Sequence, residues 1–148
     1  MNGSYCINKS QDTVFIETAG FSMWPFVKQG EKLIIKKFPI EDLKIGDLIL
    51  YQRNNQKVCH RLIKKKEING RYLIFVRGDN STVSAELITE QMFLGKAISI
   101  LRKGKMINLT SSKQRLINWL IVFLASGVSR GARIIKPCYV GLRKVIRR

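Results

Sequence analysis

Along the first two thirds of the chain, apolar residues fall in short runs between polar or glycine-bearing breaks. Thr13–Thr18 is a short β-branched run. Lys32–Lys36, Leu48–Gln52, Val58–Lys64, Tyr72–Val76 and Ala97–Leu101 are further apolar or alternating runs. The breaks are Gln29-Gly30, Gly46-Asp47, Arg53-Asn54-Asn55, Asn69-Gly70, Gly78-Asp79-Asn80 and Lys103-Gly104-Lys105. Many short strands with turn signals between them predict a mainly β architecture, a small folded β-barrel or sheet, over residues 1–109. Asn69-Gly70 predicts a tight hairpin, because both residues tolerate positive φ.

After Leu109 the pattern changes. Ser111 or Ser112 can cap a helix starting near Lys113. In Leu116–Val128 only Asn118 and Ser126 are polar. That run is short of the roughly 20 apolar residues that span a bilayer. Lys113 and Arg115 precede it, and Arg130, Arg133 and Lys136 follow. A second apolar patch, Ile134–Leu142, is broken by Lys136 and Pro137. Residues 110–148 therefore form a separate basic helical tail. A basic segment bearing Trp119 suits a helix lying in a membrane interface; the alternative is a helix packed on the β domain with solvated charges.

Charge sharpens this division. The 148 residues carry 27 Lys and Arg against 10 Asp and Glu. Residues 96–148 hold 13 of those cations and no acid, whereas the preceding part is nearly balanced. The tail thus expects an anionic partner, and anionic membrane is preferred to nucleic acid. Its cations interleave with long aliphatic runs and form no recognised nucleic-acid motif. The polar stretch Met1–Asp12 reads as neither a secretory signal nor an N-terminal anchor. Three widely spaced cysteines, Cys6, Cys59 and Cys138, predict reduced thiols rather than a disulfide framework. With one histidine and no paired ligand spacing, no metal site is expected.

Three residues stand out as chemistry. Ser22 lies in Gly20-Phe21-Ser22-Met23-Trp24-Pro25-Phe26, where Gly20 permits tight backbone geometry and Pro25 fixes φ. A serine needs a base within hydrogen-bond reach and an exposing turn to act as a nucleophile. His60, the only histidine, sits in Val58-Cys59-His60-Arg61-Leu62. Strand alternation puts it on one face with Val58 and Leu62, and Cys59 and Arg61 on the other. Asp79 follows in Arg77-Gly78-Asp79-Asn80. Serine, histidine and aspartate can act as nucleophile, base and orienting acid. Taken singly, each has a plainer reading: a loop beside a buried tryptophan, a core histidine, and a turn aspartate bonding local backbone.

In this order the segments resemble the type I signal peptidase family, in its Ser-His branch, which is related to the self-cleavage domain of SOS repressors. Gly20–Pro25 is similar to the nucleophile box, and Gly46-Asp47 before Leu48–Tyr51 to the second turn and strand. Val58–Leu62 is similar to the general-base box, with histidine where most bacterial members carry lysine. Arg77–Asn80 is similar to the final Gly-Asp-Asn box. The likeness covers roughly residues 18–100. It implies a serine endopeptidase without cofactor that cuts a signal- or leader-like polypeptide, preferring small residues before the cut. Ser22 would be the nucleophile, His60 the general base, and the Ser22 N–H an oxyanion donor. Members often carry an acid a few residues after the Gly-Asp-Asn box; here Ala85 stands six positions on, beside Glu86. The acid assisting His60 is therefore Asp79, Glu86 or none. Members also often carry a serine where this chain has Gly20.

With the basic tail, these features predict a maturation peptidase held peripherally at the cytoplasmic face of a bacterial-type membrane, where positive charge is retained. The competing reading keeps the scaffold without the chemistry, as a module that binds peptide or anionic membrane.

Overall fold

The computed structural model describes residues 5–7, 13–82 and 84–132. Its element order is β1 (Tyr5–Ile7), β2 (Thr13–Glu17), β3 (Lys32–Lys36), β4 (Leu48–Arg53), β5 (Gln56–Ile68), β6 (Arg71–Arg77), β7 (Glu86–Ile88), a 3-10 turn at Glu90–Met92, β8 (Phe93–Arg102), β9 (Lys105–Asn108) and α1 (Ser112–Ala132). Among the described residues the protein is mainly β, with one α-helix near the C-terminal end. The strands run antiparallel in the order β1-β2-β3-β8-β4-β5-β6-β7, with β9 paired to β8. The sheet is open, so of the barrel or sheet expected, it is the sheet that forms.

Turn chemistry sets the hairpins. Asn69 and Gly70, at φ +52° and +73°, join β5 to β6 as expected. Asn54 and Asn55 (φ +45° and +62°) do the same between β4 and β5. Lys103 and Gly104 (φ +48° and +75°) join β8 to β9. Each is a two-residue link with both residues at positive φ, matching the twist of the strands it joins.

Strand β8 organises the rest. It pairs with β3 from Lys96 to Leu101, with β4 from Phe93 to Lys96, and with β9 from Ser99 to Arg102. Its partners change along its length, and irregularities at Ile34/Ile35 and Leu50/Tyr51 accompany the change. Such irregularities bend a strand and increase its local twist.

Among the described residues the core falls into two clusters. Leu33, Ile35, Leu48 and Leu50 pack with Met23 and Val27 from the loop after β2. Ile49, Tyr51, Leu62, Ile74, Val76 and Ile88 form the second. In β4, Leu48 and Leu50 thus serve one cluster while Ile49 and Tyr51 serve the other, as alternation requires. In β5, Cys59 packs against the first cluster, and Val58 and Leu62 belong with the second. That is the division expected around His60.

Helix α1 begins as the sequence indicates. The Ser111 carbonyl accepts from Arg115 N–H at 2.9 Å, and its hydroxyl lies 3.4 Å from the Gln114 N–H, which makes Ser111 the cap. Asn118 and Val122, one turn apart, are buried. A Cβ at Gly46 would lie 3.0 Å from the Asn118 backbone, so this glycine lets the helix approach the turn before β4. The other side of α1 exposes Leu116, Ile117, Trp119, Leu120 and Phe123, with Trp119 and Phe123 stacked at 5.5 Å. Among the described residues no helix is long and apolar enough to cross a membrane. The tail beyond residue 132, including the patch at 134–142 and Cys138, lies outside the described residues.

Candidate functional site

Ser22 is exposed at the start of a compact turn. Phe21 accepts a hydrogen bond from Trp24 N–H (3.1 Å), and Met23 accepts one from Val27 N–H (2.8 Å). Burial of Met23 and Val27 in the first cluster anchors the turn to the sheet. Phe21 and Trp24 stay exposed on either side of the serine.

The Gly-Asp-Asn turn closes on this segment. Asn80 N–H donates to the Ser22 carbonyl at 2.9 Å. Gly78 is the contact point: a Cβ there would lie 2.7 Å from Ser22 O, 3.1 Å from Ser22 Cβ and 3.3 Å from His60 Nε2. Ser22 and the outer ring nitrogen of His60 therefore converge on one spot, and only a residue without a side chain fits between them. Strand β5 carries His60, and the turn after β6 carries Gly78.

The inner nitrogen, Nδ1, lies 3.0 Å from the Tyr51 hydroxyl. That hydroxyl donates to Glu86 Oε2 at 2.7 Å, and Arg53 Nη1 donates to the same oxygen at 2.9 Å. Register explains the reach. Ile49 pairs with His60, so Tyr51, two residues on, is its diagonal neighbour on the same face. Strand β7 pairs Glu86 with Val76 and brings the carboxylate to the far side of the tyrosine.

Asp79 is placed differently from the orienting role expected of it. Arg61 Nε donates to Oδ1 at 2.7 Å and Arg61 Nη2 to Oδ2 at 2.6 Å. Both partners are buried, so the pair is a desolvated, two-pronged ion pair. Among the described residues no hydrogen bond joins Asp79 to His60. Arg61 also donates to the Gly46 carbonyl at 2.8 Å and lies 4.5 Å from the centre of the Phe26 ring. It thereby ties together the serine turn, the turn before β4 and the Gly-Asp-Asn turn. The acid joined to His60 by hydrogen bonds is Glu86, through Tyr51. Neither Tyr51 nor Arg61 was singled out from sequence.

Burial pushes the His60 pKa down. The nearby Glu86 and Asp79 charges oppose this, and the Arg53 charge adds to it. The imidazole is then neutral at pH 7, as a general base must be. Burial and the Glu86 carboxylate push the Tyr51 phenol up, so it keeps its proton. Cys59 is a free thiol, pushed up to about 12 mainly by burial, and at neutral pH it is not a thiolate.

A cleft of about 760 Å³ opens in front of these groups. Ile16–Gly20 form one wall, with Ser22 and Met23 at its end; Gln56–His60 lie along the other, and Val27, Leu33 and Leu50 contribute apolar floor. Strand β6 begins its pairing with β5 at Arg61, so Val58, Cys59 and His60 border the cleft instead. Among the described residues, no three or more His, Cys, Asp or Glu side chains gather where they could hold a metal ion.

Comparison with protein-family models, with curated proteins and with solved structures finds no match.

Proposed function

We propose that the protein is a serine endopeptidase of the signal peptidase type, with Ser22 as nucleophile and His60 as general base. The observation that carries this reading is the convergence of Ser22 and His60 Nε2 on Gly78, at the end of an open cleft. Ser22 Oγ attacks the carbonyl carbon of a peptide bond, and its proton passes to His60 Nε2. The tetrahedral intermediate collapses as His60 returns that proton to the leaving amine, which leaves an ester on Ser22. Water then attacks the ester with His60 as base, releasing the carboxylic acid and restoring the serine. The Ser22 N–H serves as oxyanion donor. No step requires a cofactor.

The substrate is a signal- or leader-like polypeptide, bound extended along Val58–His60 with an apolar side chain over Leu33 and Leu50. The enzyme works at an anionic membrane surface on the cytoplasmic side. The exposed stripe of Leu116, Trp119, Leu120 and Phe123, beside Lys113 and Arg115, supports this placement. Phe21 and Trp24 add exposed apolar surface next to Ser22.

The test is turnover of ester and peptide substrates by Ser22→Ala, His60→Ala and the double variant. Because the two groups act as a unit, each single variant should be as inactive as the double. Full turnover by both singles would exclude the mechanism. A folded wild type without turnover would favour a peptide- or membrane-binding module on the same scaffold.

A further inference from the structure

Tyr51 is fully buried in the second core cluster, and its ring packs there like any core aromatic. Its hydroxyl sits between two polar atoms. Glu86 Oε2 is 2.7 Å away and His60 Nδ1 3.0 Å away. An ionised carboxylate only accepts hydrogen bonds, so the phenol proton points at Glu86. The phenol oxygen then has only lone pairs to offer His60, and Nδ1 must carry the imidazole proton. That leaves the lone pair on Nε2, the nitrogen facing Gly78 and Ser22.

We infer that Tyr51 is a positioning residue that links Glu86 to His60, holding the imidazole in the tautomer that lets Nε2 take the Ser22 proton. The inference rests on the peptidase reading for its purpose, although the tautomer itself does not. It differs from a directly paired triad, since the acid acts one hydroxyl away. When His60 gains the Ser22 proton, the run Nδ1–H to Tyr51 oxygen, and Tyr51 O–H to Glu86, stabilises the imidazolium. No covalent bond forms or breaks along it, and no proton need leave Tyr51.

The surrounding charges fit this arrangement. Glu86 on β7 and Asp79 after β6 favour the charged imidazole, while Arg53 on β4 disfavours it. Arg53 also donates to the Glu86 oxygen that Tyr51 uses, which fixes that carboxylate in place. The phenol meets Glu86 and His60 directly and feels the Arg53 charge, while Cys59 packs on the other face of β5. A tyrosine serving only to fill the core would need neither its hydroxyl nor this carboxylate.

His60 is the only histidine, so its two ring nitrogens can be read without ambiguity by 15N NMR. The experiment follows them through the imidazole titration in wild type, Tyr51→Phe and Glu86→Gln, and measures acylation of Ser22 by a β-lactone acylating probe in the same samples. Neutral wild type should show protonated Nδ1 and bare Nε2. Tyr51→Phe keeps the ring but should populate the opposite tautomer, titrate at lower pH and acylate about 10- to 100-fold more slowly. Glu86→Gln should keep the tautomer, because an amide carbonyl still accepts from Tyr51, yet titrate at lower pH. A wild type protonated on Nε2 would overturn the inference, as would a folded Tyr51→Phe indistinguishable from wild type. Should Tyr51→Phe not fold, an unchanged titration in Glu86→Gln overturns it. The expected tautomers without any probe labelling of wild type would support the linkage while removing the peptidase reading.

Discussion

Asp79 gives both carboxylate oxygens to Arg61, at 2.7 and 2.6 Å, in a pair shielded from water. The aspartate of the Gly-Asp-Asn turn therefore anchors the loops around the serine through the guanidinium one residue past the histidine. Its removal should be felt first in stability. Asp79→Ala leaves a buried, uncompensated Arg61, which should cost about 3–5 kcal/mol. Urea unfolding of Asp79→Ala and of Arg61→Met/Asp79→Leu checks this. The double variant should recover part of the loss, because no charge is stranded.

Gly78 should be intolerant of any side chain. A Cβ 2.7 Å from Ser22 O and 3.3 Å from His60 Nε2 forces the two apart. Gly78→Ala should destabilise by about 1–3 kcal/mol through overpacking. It should slow acylation of Ser22 by about 100-fold, since displacements near 1 Å have that effect. Thermal unfolding and probe kinetics separate the two consequences.

Reactivity of Ser22 should rise with pH along a limb whose midpoint lies below 6.5, the ordinary histidine value, because burial holds the His60 pKa down. Arg53→Met removes a cation that disfavours the imidazolium, so its limb should move to higher pH. The sign for stability follows from the same shift. Neutral burial of His60 stabilises the fold above the unfolded-state pKa, and this contribution is lost as pH falls through the folded-state value. Acylation rates and unfolding midpoints measured across that range test both statements.

The exposed face of α1 should govern membrane attachment without touching the chemistry. Trp119→Glu and Phe123→Glu together should weaken binding to vesicles containing anionic lipid by at least about 10-fold, given roughly 1.5–3 kcal/mol for burying each aromatic. Acylation of Ser22 in solution should be unchanged. Equal binding by wild type and variant would show that this face has another use.

Much of the fold was legible because its signals are local. Lys32–Lys36 is β3 as expected, and Asn69-Gly70 turns the chain between β5 and β6. Ser111 caps α1. The three-residue strands β1 and β7 and the four-residue β9 were not anticipated, since such short segments carry no period. The placement of β8 between β3 and β4 is a non-local pairing that no window of sequence contains.

At the site, the resemblance in motif order and spacing picked out Ser22 and His60, and alternation put His60 on the face of Val58 and Leu62, which serve the second cluster. Asp79 was harder, because a Gly-Asp-Asn turn looks the same whether its carboxylate meets a histidine or an arginine. Alternation already put Arg61 opposite His60, so a cation in need of a partner was visible. Tyr51 reads as an ordinary core aromatic. One signal could have found it: a two-residue Asn54-Asn55 turn pairs Arg53 with Gln56 and hence Ile49 with His60. Tyr51 then becomes the same-face neighbour of the histidine.

The most direct test of the central claim is covalent labelling by a serine-directed acylating probe, with intact mass read on wild type, Ser22→Ala and His60→Ala. The account predicts one adduct on wild type and none on either variant within the same time. Absence of an adduct on folded wild type, or equal labelling of all three, would contradict an activated Ser22 that depends on His60.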